Sequence, residues 1–384
     1  MDDENLMRIA LAEGAKAMGR THPNPAVGAA IRHRGEVVAR GRTQPLGGPH
    51  AEIMALRAFA ETGLKPDEET TMAVTMEPCS TVGRTGACTD AIREAGFRKV
   101  VIGVADPWPA HRGRGVGILE AAGVKVRSGL LERECRDQNM IFHWVHEKGG
   151  PFFAGKVATT VDGCMATRSG LSKWITGEKA RADVHRWRRY FPAIAVGAGT
   201  VFSDNPELTA RLPGEEPWCP RRFVFDRNLI TFKESLARVY TDEWRDRTVV
   251  VTSREREAEA RKLEEKYGIR FWCLSEAIKD LSFPEFSERC WEEGLQGLFV
   301  EGGAQLLSSF LGARALHYLF AYRAPKLLAD TSGLTPFMGE EPASMEDTVQ
   351  LREVRHETFG DDQLIRGFLN YHDTEDAFDG NLSC

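Results

Sequence analysis

The 384-residue chain has no run approaching the roughly 18 apolar residues that a membrane-spanning helix needs, so no membrane span is expected. It also lacks a basic, apolar leader. The opening "MDDENLMRIALAEGAKAMG" is acidic and then amphipathic, the reverse of a secretory signal, and predicts a cytoplasmic protein. Lys/Arg blocks are missing apart from "RWRR" at 186–189, and the net charge is −6. A nucleic-acid partner calls for a basic stripe, so neither nucleic acid nor membrane is expected as a partner. The second half contains no Gly-x-Gly-x-x-Gly, which removes the usual dinucleotide fingerprint. No internal repeat or low-complexity segment is present. Without a secretion signal, the eight cysteines (79, 88, 135, 164, 219, 273, 290 and 384) are expected as reduced thiols or metal ligands, not a disulfide framework. What remains is the balance of an ordinary soluble globular protein, 42% hydrophobic and 28% charged, long enough for two to three domains.

Helices and strands alternate through the first part. "ENLMRIALAEGAKAM" has helical apolar spacing, and "AVGAAIRHRGEVVARG" reads as a hairpin turning at Arg34–Gly35. A helix from Ala51 to Glu61, the strand "TMAVTM", a helix after Cys88, the strand "KVVIGVAD", the helix "GVGILEAAG" and the strand "VKVRSG" follow. Such alternation predicts an α/β fold with helices packed on a central sheet. "HEKGGP" (146–151) reads as a hinge. Beyond it, strands are expected at "FFAGKVATTVDG", "AIAVGAG", "RRFVFD", "TVVVTS", "IRFWCL", "GLFVEGG" and "LHYLFAYRAPKLL", with a closing hairpin from "TVQLREVRHET" and "DQLIRGFLNY". The expected domains are 1–147 and 151–372. The acidic tail 373–384, poor in apolar residues, is expected to be disordered.

In "GGPHAEIMAL", His50 and Glu52 stand two positions apart at a helix start, and residues i and i+2 do not share a helical face. "MEPCSTVGRTGACTDAI" supplies a reason for both to lean into one pocket. Cys79 follows a proline at a strand end, and Cys88 stands where the next helix begins. His50, Cys79 and Cys88 offer zinc three nitrogen and sulfur ligands and leave the fourth position for water, as catalytic zinc sites do. The helix dipole is expected to lower the pKa of a thiol at the helix start. Glu52, not a ligand, is then placed to take a proton from the activated water and return it to a departing amine, as in zinc deaminases. His50 belongs at an irregular first turn in this reading. Each residue alone is unremarkable, and it is the combination that points to a metal. The spacing departs from Pro-Cys-x-x-Cys, since nine positions separate the two cysteines and a loop must intervene.

That loop carries a family resemblance. "THPNPAVGAAI", "GGPHAEIMAL", "EPCSTVGRTGAC" and "GVADPWPAHRGRG" resemble the deaminase domain of the bifunctional riboflavin-biosynthesis deaminase/reductase family, whose longer Pro-Cys…Cys loop runs through Gly-Arg-Thr, here Gly83, Arg84 and Thr85. The resemblance covers essentially the whole chain in order. It implies a cytidine-deaminase-like α/β/α domain acting on a diaminopyrimidinone that carries a ribosylamino phosphate, with Asn24 contacting the base. Thr81 and Val82 depart from the Cys-Ser-His-His-Gly loop frequent in the family, and Thr43 stands where many members have histidine. These changes spare the metal site and bear on finer substrate contacts.

In the second half, "VGAGTVFSDNPELTAR" and "FVEGGAQLL" place glycines between a strand and a helix, where a backbone approaches phosphate closely. From the residues alone, a plain turn is the commoner explanation of each. The resemblance extends over "KVATTVDG", "SKWITGEKARADVHRWR", "VGAGTVFSDNPELTAR" and "VEGGAQLL" to the family's reductase domain, implying a dihydrofolate-reductase-like α/β fold that uses NADPH. Carried over by position, Ala158, Trp174, Thr200, Asp204 and the segment from Gly303 contact the cofactor. Ser172, Arg188, Leu208, Arg211 and Glu301 contact the substrate, and Lys156 is a further candidate. Arginine suits a sugar phosphate because its planar fork pairs with phosphate oxygens. Trp174 is either an apolar wall for the nicotinamide or a core residue. Arg227, where some members have a smaller cofactor-contacting residue, receives no transferred role.

The expected protein is therefore two enzymes on one chain, needing Zn2+ and NADPH and acting on a small phosphorylated pyrimidine. A homo-oligomer is compatible with this. A nucleoside or nucleic-acid base deaminase would need a basic channel or stacking platform. A non-catalytic zinc module would need four protein ligands, where three and a glutamate are found.

Overall fold

The computed structural model describes residues 1–81, 86–233, 235–277, 280–339 and 342–371. The chain divides into two compact units, one through Gly149 and one from Gly150. Residues 373–384, for which disorder was expected, lie outside the described residues, as do Val82, Gly83, Arg84 and Thr85.

In the first unit, β1 (Gly28–His33), β2 (Glu36–Arg42), β3 (Thr71–Met76), β4 (Lys99–Val104) and β5 (Lys125–Arg127) form one sheet in the order β2-β1-β3-β4-β5. The expected hairpin is present. Arg34 and Gly35 both have positive φ (48° and 85°), as a two-residue primed turn requires, and β1 and β2 are antiparallel. β1 also pairs antiparallel with β3, while β3, β4 and β5 run parallel. β3 is buried along its whole length, which is why its run "TMAVTM" reads as continuous rather than alternating. α1 (Asp3–Ala15) packs on β1, its first turn capped by Asp2, whose carboxylate accepts from the Asn5 backbone N–H at 2.8 Å. α2 (Ala51–Glu61) packs on β2. A Cβ on Gly41 of β2 would lie 2.2 Å from the Ala51 carbonyl, so only glycine lets the first turn of α2 come this close. α3 (Cys88–Glu94), α4 (Arg114–Ala121), α5 (Glu132–Gln138) and α6 (Met140–Lys148) complete the unit. The break expected over 146–151 is narrower. His146, Glu147 and Lys148 still belong to α6, and Gly149, at φ 76°, ends it.

The second unit holds β6 (Phe152–Thr159), β7 (Ala193–Gly197), β8 (Arg221–Phe225), β9 (Thr248–Ser253), β10 (Arg270–Leu274), the short pair β11 (Glu276–Ala277) and β12 (Asp280–Leu281), then β13 (Gly297–Val300), β14 (Tyr318–Arg323), β15 (Gln350–Phe359) and β16 (Asp362–Asn370). Nine of them form one sheet in the order β10-β9-β8-β7-β13-β6-β14-β16-β15. It is parallel from β10 to β14 and antiparallel through the closing hairpin. The strand expected over 316–328 pairs only from Tyr318 to Arg323. Ala324 still donates to Thr159, but Pro325 has no N–H to continue the ladder, and Asp162 takes the backbone N–H groups of Leu328 and Ala329 instead. The β11–β12 pair was not anticipated, because two-residue strands carry no period. α7 (Glu178–Tyr190), α8 (Ala198–Asp204), α9 (Arg238–Thr241), α10 (Glu257–Tyr267), α11 (Phe283–Glu292) and α12 (Ala304–Gly312) accompany the sheet. No helix among the described residues is long and apolar enough to cross a membrane.

Candidate functional site

His50 immediately precedes α2 in extended conformation (φ −72°, ψ 167°), while its carbonyl accepts the Met54 N–H at 3.1 Å and opens the helix. Two residues that would diverge on a regular helix are thereby brought to one pocket. His50 Nδ1 lies 3.6 Å from Cys79 Sγ and 3.4 Å from Cys88 Sγ, and the three ligand atoms all fall within 4.8 Å of one another. Tetrahedral zinc with its usual bond lengths separates a nitrogen and a sulfur ligand by about 3.6 Å, so this donor set fits the ion. Cys79 leaves the end of β3 after Glu77 and Pro78, and Cys88 is the first residue of α3.

The ionisation of the two thiols corrects the expectation. The helix start was expected to favour a thiolate at Cys88, yet the thiol held below its usual range is Cys79. It accepts from the Cys88 thiol, and then from His50 and the Cys88 backbone N–H, which lies at 3.4 Å. Cys88, which donates to that sulfur and is buried, is pushed up. The helix N-terminus acts, but on the sulfur its N–H points at. Opposite that charge, His50 is raised, chiefly through its hydrogen bond with Cys79. Glu52 is buried, and burial followed by the nearby Cys79 charge lifts its carboxyl to about 7. It also interacts with the Cys88 thiol.

Glu77 was not singled out from sequence. Its buried carboxylate accepts four backbone N–H groups, from Asp106 (3.1 Å), Gly113 (3.0 Å), Gly115 (2.9 Å) and Val116 (3.3 Å), and ties the β4–α4 connection to the segment bearing Cys79. Asn24 sits half-buried in the loop before β1, its backbone N–H bonded to the Thr21 carbonyl. Among the described residues its side chain makes no hydrogen bond with the ligand trio. Thr43 is buried and exchanges hydrogen bonds with the Val27 backbone, so this position serves the start of β1.

In the second unit a cavity of about 530 Å3 opens where β6, β7 and β13 end. It is lined by Ala158, Trp174, Thr200, Asp204 and Gly303, and equally by Lys156, Ser172, Arg188, Leu208, Arg211 and Glu301. Every residue expected in this half is thus brought to one place. Arg188 grips Glu301 with two parallel bonds (Nε–Oε1 2.5 Å, Nη2–Oε2 3.0 Å) and donates to the Thr209 carbonyl at 3.1 Å. Burial would raise the Glu301 carboxyl, but Arg188 and Lys156, 3.9 Å away, hold it below the usual range. Burial lowers the Lys156 ammonium, with Glu301 opposing. Trp174 is 64% exposed, which excludes a core role, and the Arg181 guanidinium sits 4.7 Å from its ring centroid.

An adjoining cavity of about 630 Å3 shares Ser172, Thr200, Asp204 and Gly303 with the first. It is bordered by Gly197 and Gly303, the residues that precede α8 and α12, with no side chain capping either helix. Uncapped N-terminal N–H groups suit a pyrophosphate, so the joined cavities fit a dinucleotide. Arg227 lines this second cavity and is paired with Glu276. His185, which reading the sequence missed, lines the first cavity. Its signal was its place three residues before Arg188 on α7, hence on the same helical face.

Residues 1–104 match the cytidine and deoxycytidylate deaminase zinc-binding region, and residues 151–365 match the RibD C-terminal domain. The chain is 37% identical over 368 residues to the riboflavin biosynthesis protein RibD of Actinobacillus pleuropneumoniae, covering 95% of each. It is 33% identical to the Escherichia coli protein, covering 93% of this chain and 97% of the relative. Among solved structures it resembles Acinetobacter baumannii RibD (28% identity, TM-score 0.75, 96% of this chain and 99% of that one). It also resembles a diaminohydroxyphosphoribosylaminopyrimidine deaminase/5-amino-6-(5-phosphoribosylamino)uracil reductase of Thermotoga maritima (31% identity, TM-score 0.76, 96% and 98% covered). With both halves matched in order along nearly its full length, the chain belongs to the RibD family of riboflavin biosynthesis proteins.

Proposed function

We infer that this chain performs two consecutive reactions of riboflavin biosynthesis. It deaminates 2,5-diamino-6-(5-phosphoribosylamino)pyrimidin-4-one and then reduces the ribosyl group of the product to ribityl. We propose residues 1–147 as the deaminase and 151–372 as the reductase. The observation that carries the reading is the pairing of a buried Glu52 with a compact nitrogen–sulfur trio in one unit, alongside the Arg188–Glu301–Lys156 cavity in the other.

In the deaminase, His50, Cys79 and Cys88 hold zinc, which when bound activates a water molecule as a Lewis acid. Glu52 takes the proton released at that water on its carboxylate and hands it to the departing amino group. A carboxyl near 7 does both at neutral pH, because it accepts and releases a proton at little cost. Asn24 orients the base.

In the reductase, Ala158, Trp174, Thr200, Asp204 and Gly303 hold NADPH, which when bound supplies the hydride. Ser172, Leu208, Arg188, Arg211 and Glu301 would orient the sugar phosphate with its ribosyl C1′ towards the cofactor residues; reduction at C1′ breaks its bond to the ring oxygen. That oxygen needs a proton, and the Lys156 side chain on the cavity wall is placed to supply it.

A coupled assay tests the whole reading. Given the diaminopyrimidinone alone, the purified chain should yield a product heavier by about one mass unit, as an amino group becomes oxygen. Adding NADPH should add two further mass units with stoichiometric loss of its absorbance. NADPH consumption without the first mass change would sink the order of reactions. The ligand assignment predicts about one zinc per chain, and near-complete loss of it in Cys79→Ser, Cys88→Ser or His50→Ala, since each removes a bond to the ion. Full zinc content in Cys88→Ser, by elemental analysis, would refute the three-ligand site.

A further inference from the structure

The reductase cavity contains one titratable ring to which no role has been given. His185 and Arg188 stand one turn apart on α7 and face the same stretch of chain, residues 207–211. His185 Nδ1 receives the backbone N–H of Arg211 at 3.2 Å, while Arg188 donates to the Thr209 carbonyl at 3.1 Å. The stretch is otherwise unlike a regular element. Leu208 has φ +58°, and Ala210 forms an isolated bridge to Trp218. Its shape rests on a few anchors: Arg222 holds the Glu207 carbonyl, Arg188 the Thr209 carbonyl and the imidazole the Arg211 backbone, while the Arg211 guanidinium itself donates to Glu207 Oε2 (2.7 Å) and Thr209 Oγ1 (2.8 Å).

We propose that His185 is a positioning residue of the reductase: its Nδ1, acting as a hydrogen-bond acceptor, holds the Arg211 backbone and so aims Leu208 and Arg211 at the sugar phosphate. This rests on the reductase reading above. The bond demands a particular form of the ring. Nδ1 accepts only when it carries no proton, so the neutral ring keeps its proton on Nε2. The surroundings favour that form. Burial, then the positive charges of Arg188 and Arg211, lower the ring to about 4 against the opposing Glu301 carboxylate and a hydrogen bond to the Thr209 backbone, so it stays neutral throughout the physiological range. The Arg211 N–H lies at an exposed residue, and water replaces a lost acceptor there at little cost to stability. The role is therefore one of geometry, and it should appear in substrate binding more than in folding.

Asparagine and glutamine separate the two ring nitrogens. The Asn amide oxygen falls near the position of Nδ1, whereas the longer Gln amide reaches towards Nε2. In the full chain, reduction of the already deaminated substrate with NADPH should show KM raised about five- to tenfold in His185→Ala and His185→Gln, the size of one hydrogen bond. The rise should be within about twofold in His185→Asn, with kcat little changed in all three. Deamination by the same preparations should match the unsubstituted chain. Without NADPH or substrate, 15N correlation spectra of the imidazole should show the Nε2–H tautomer. Rescue by Gln and not Asn would mean that the ring acts through Nε2, and the proposal would fall. It would also fall if all three variants raised KM equally, or if the free chain showed an Nδ1–H tautomer. A different failure, no NADPH oxidation by the unsubstituted chain, would overturn the reductase reading instead, and the tautomer measurement would still stand.

Discussion

Replacing Glu52 by glutamine should nearly stop deamination, by about a hundred- to ten-thousand-fold in kcat, the usual worth of a general acid–base group. Glutamine keeps the shape of the side chain and therefore the packing of the first turn of α2. It neither accepts nor gives a proton. Glu52 is buried and interacts with His50, Cys79 and Cys88, and among the described residues the ligand trio itself contains no carboxyl. Zinc content should remain that of the unsubstituted chain, because Glu52 is not proposed as a ligand. Reduction of the already deaminated compound should continue at its normal rate, since every residue proposed for it lies in the other unit. Steady-state rates with each substrate, together with elemental analysis, check all three statements. Loss of both reactions in a folded, zinc-loaded protein would mean that the two reactions share one site. Retention of deamination within a few-fold would remove Glu52 from the chemistry.

The complementary result is expected from Arg188→Met. Arg188 is the partner that keeps Glu301, whose side chain is 8% exposed, charged through two hydrogen bonds, and removing one member of such a pair typically costs about 3–5 kcal/mol of stability. Because Arg188 and Glu301 both line the proposed substrate cavity, kcat/KM for reduction should fall by about a hundredfold, the usual size of the loss when one partner of a desolvated, hydrogen-bonded charge pair at a binding site is truncated. Lys156, at 3.9 Å, is too distant to take over both oxygens, and the Thr209 carbonyl loses its donor as well. Deamination should be untouched, so the deaminated intermediate should accumulate when the variant is given the diaminopyrimidinone and NADPH. Arg188→Lys should fall between the two, because an ammonium restores the charge without the fork. If Arg188→Met reduced its substrate within a few-fold of normal, the ion pair would be a packing device and not part of the substrate site.

The parts of the site legible in sequence were those whose chemistry demands particular residue types at marked places. A histidine at a helix start, a Pro-Cys at a strand end and a cysteine opening the next helix are each local signals, and their sum implied the metal before any contact was known. The boundaries of α2 were legible for the same reason, as was the Arg34–Gly35 turn, where only left-handed residues close a two-residue hairpin. In the second half the residues alone were ambiguous. Glycine after a strand is more often a plain turn than a phosphate site, and family resemblance rather than periodicity selected Thr200, Asp204 and Gly303.

Hydrophobic period, turn residues and ligand chemistry act over a few neighbouring positions. The sequence by itself therefore determined that there are two α/β halves, where most strands and helices lie, and which side chains have the chemistry for zinc and for a sugar phosphate. Tertiary structure alone decided what depends on partners far along the chain. It set the strand order β10-β9-β8-β7-β13-β6-β14-β16-β15, and it gathered Lys156, Arg188, Arg211 and Glu301 around one cavity. It directed Glu77 onto four N–H groups of the β4–α4 connection and the first turn of α4, and it pointed the Cys88 backbone N–H at the Cys79 sulfur. A pKa or an ion pair is set by burial and by which dipoles point at the group. Those follow from where the chain returns to in space, which no local pattern records.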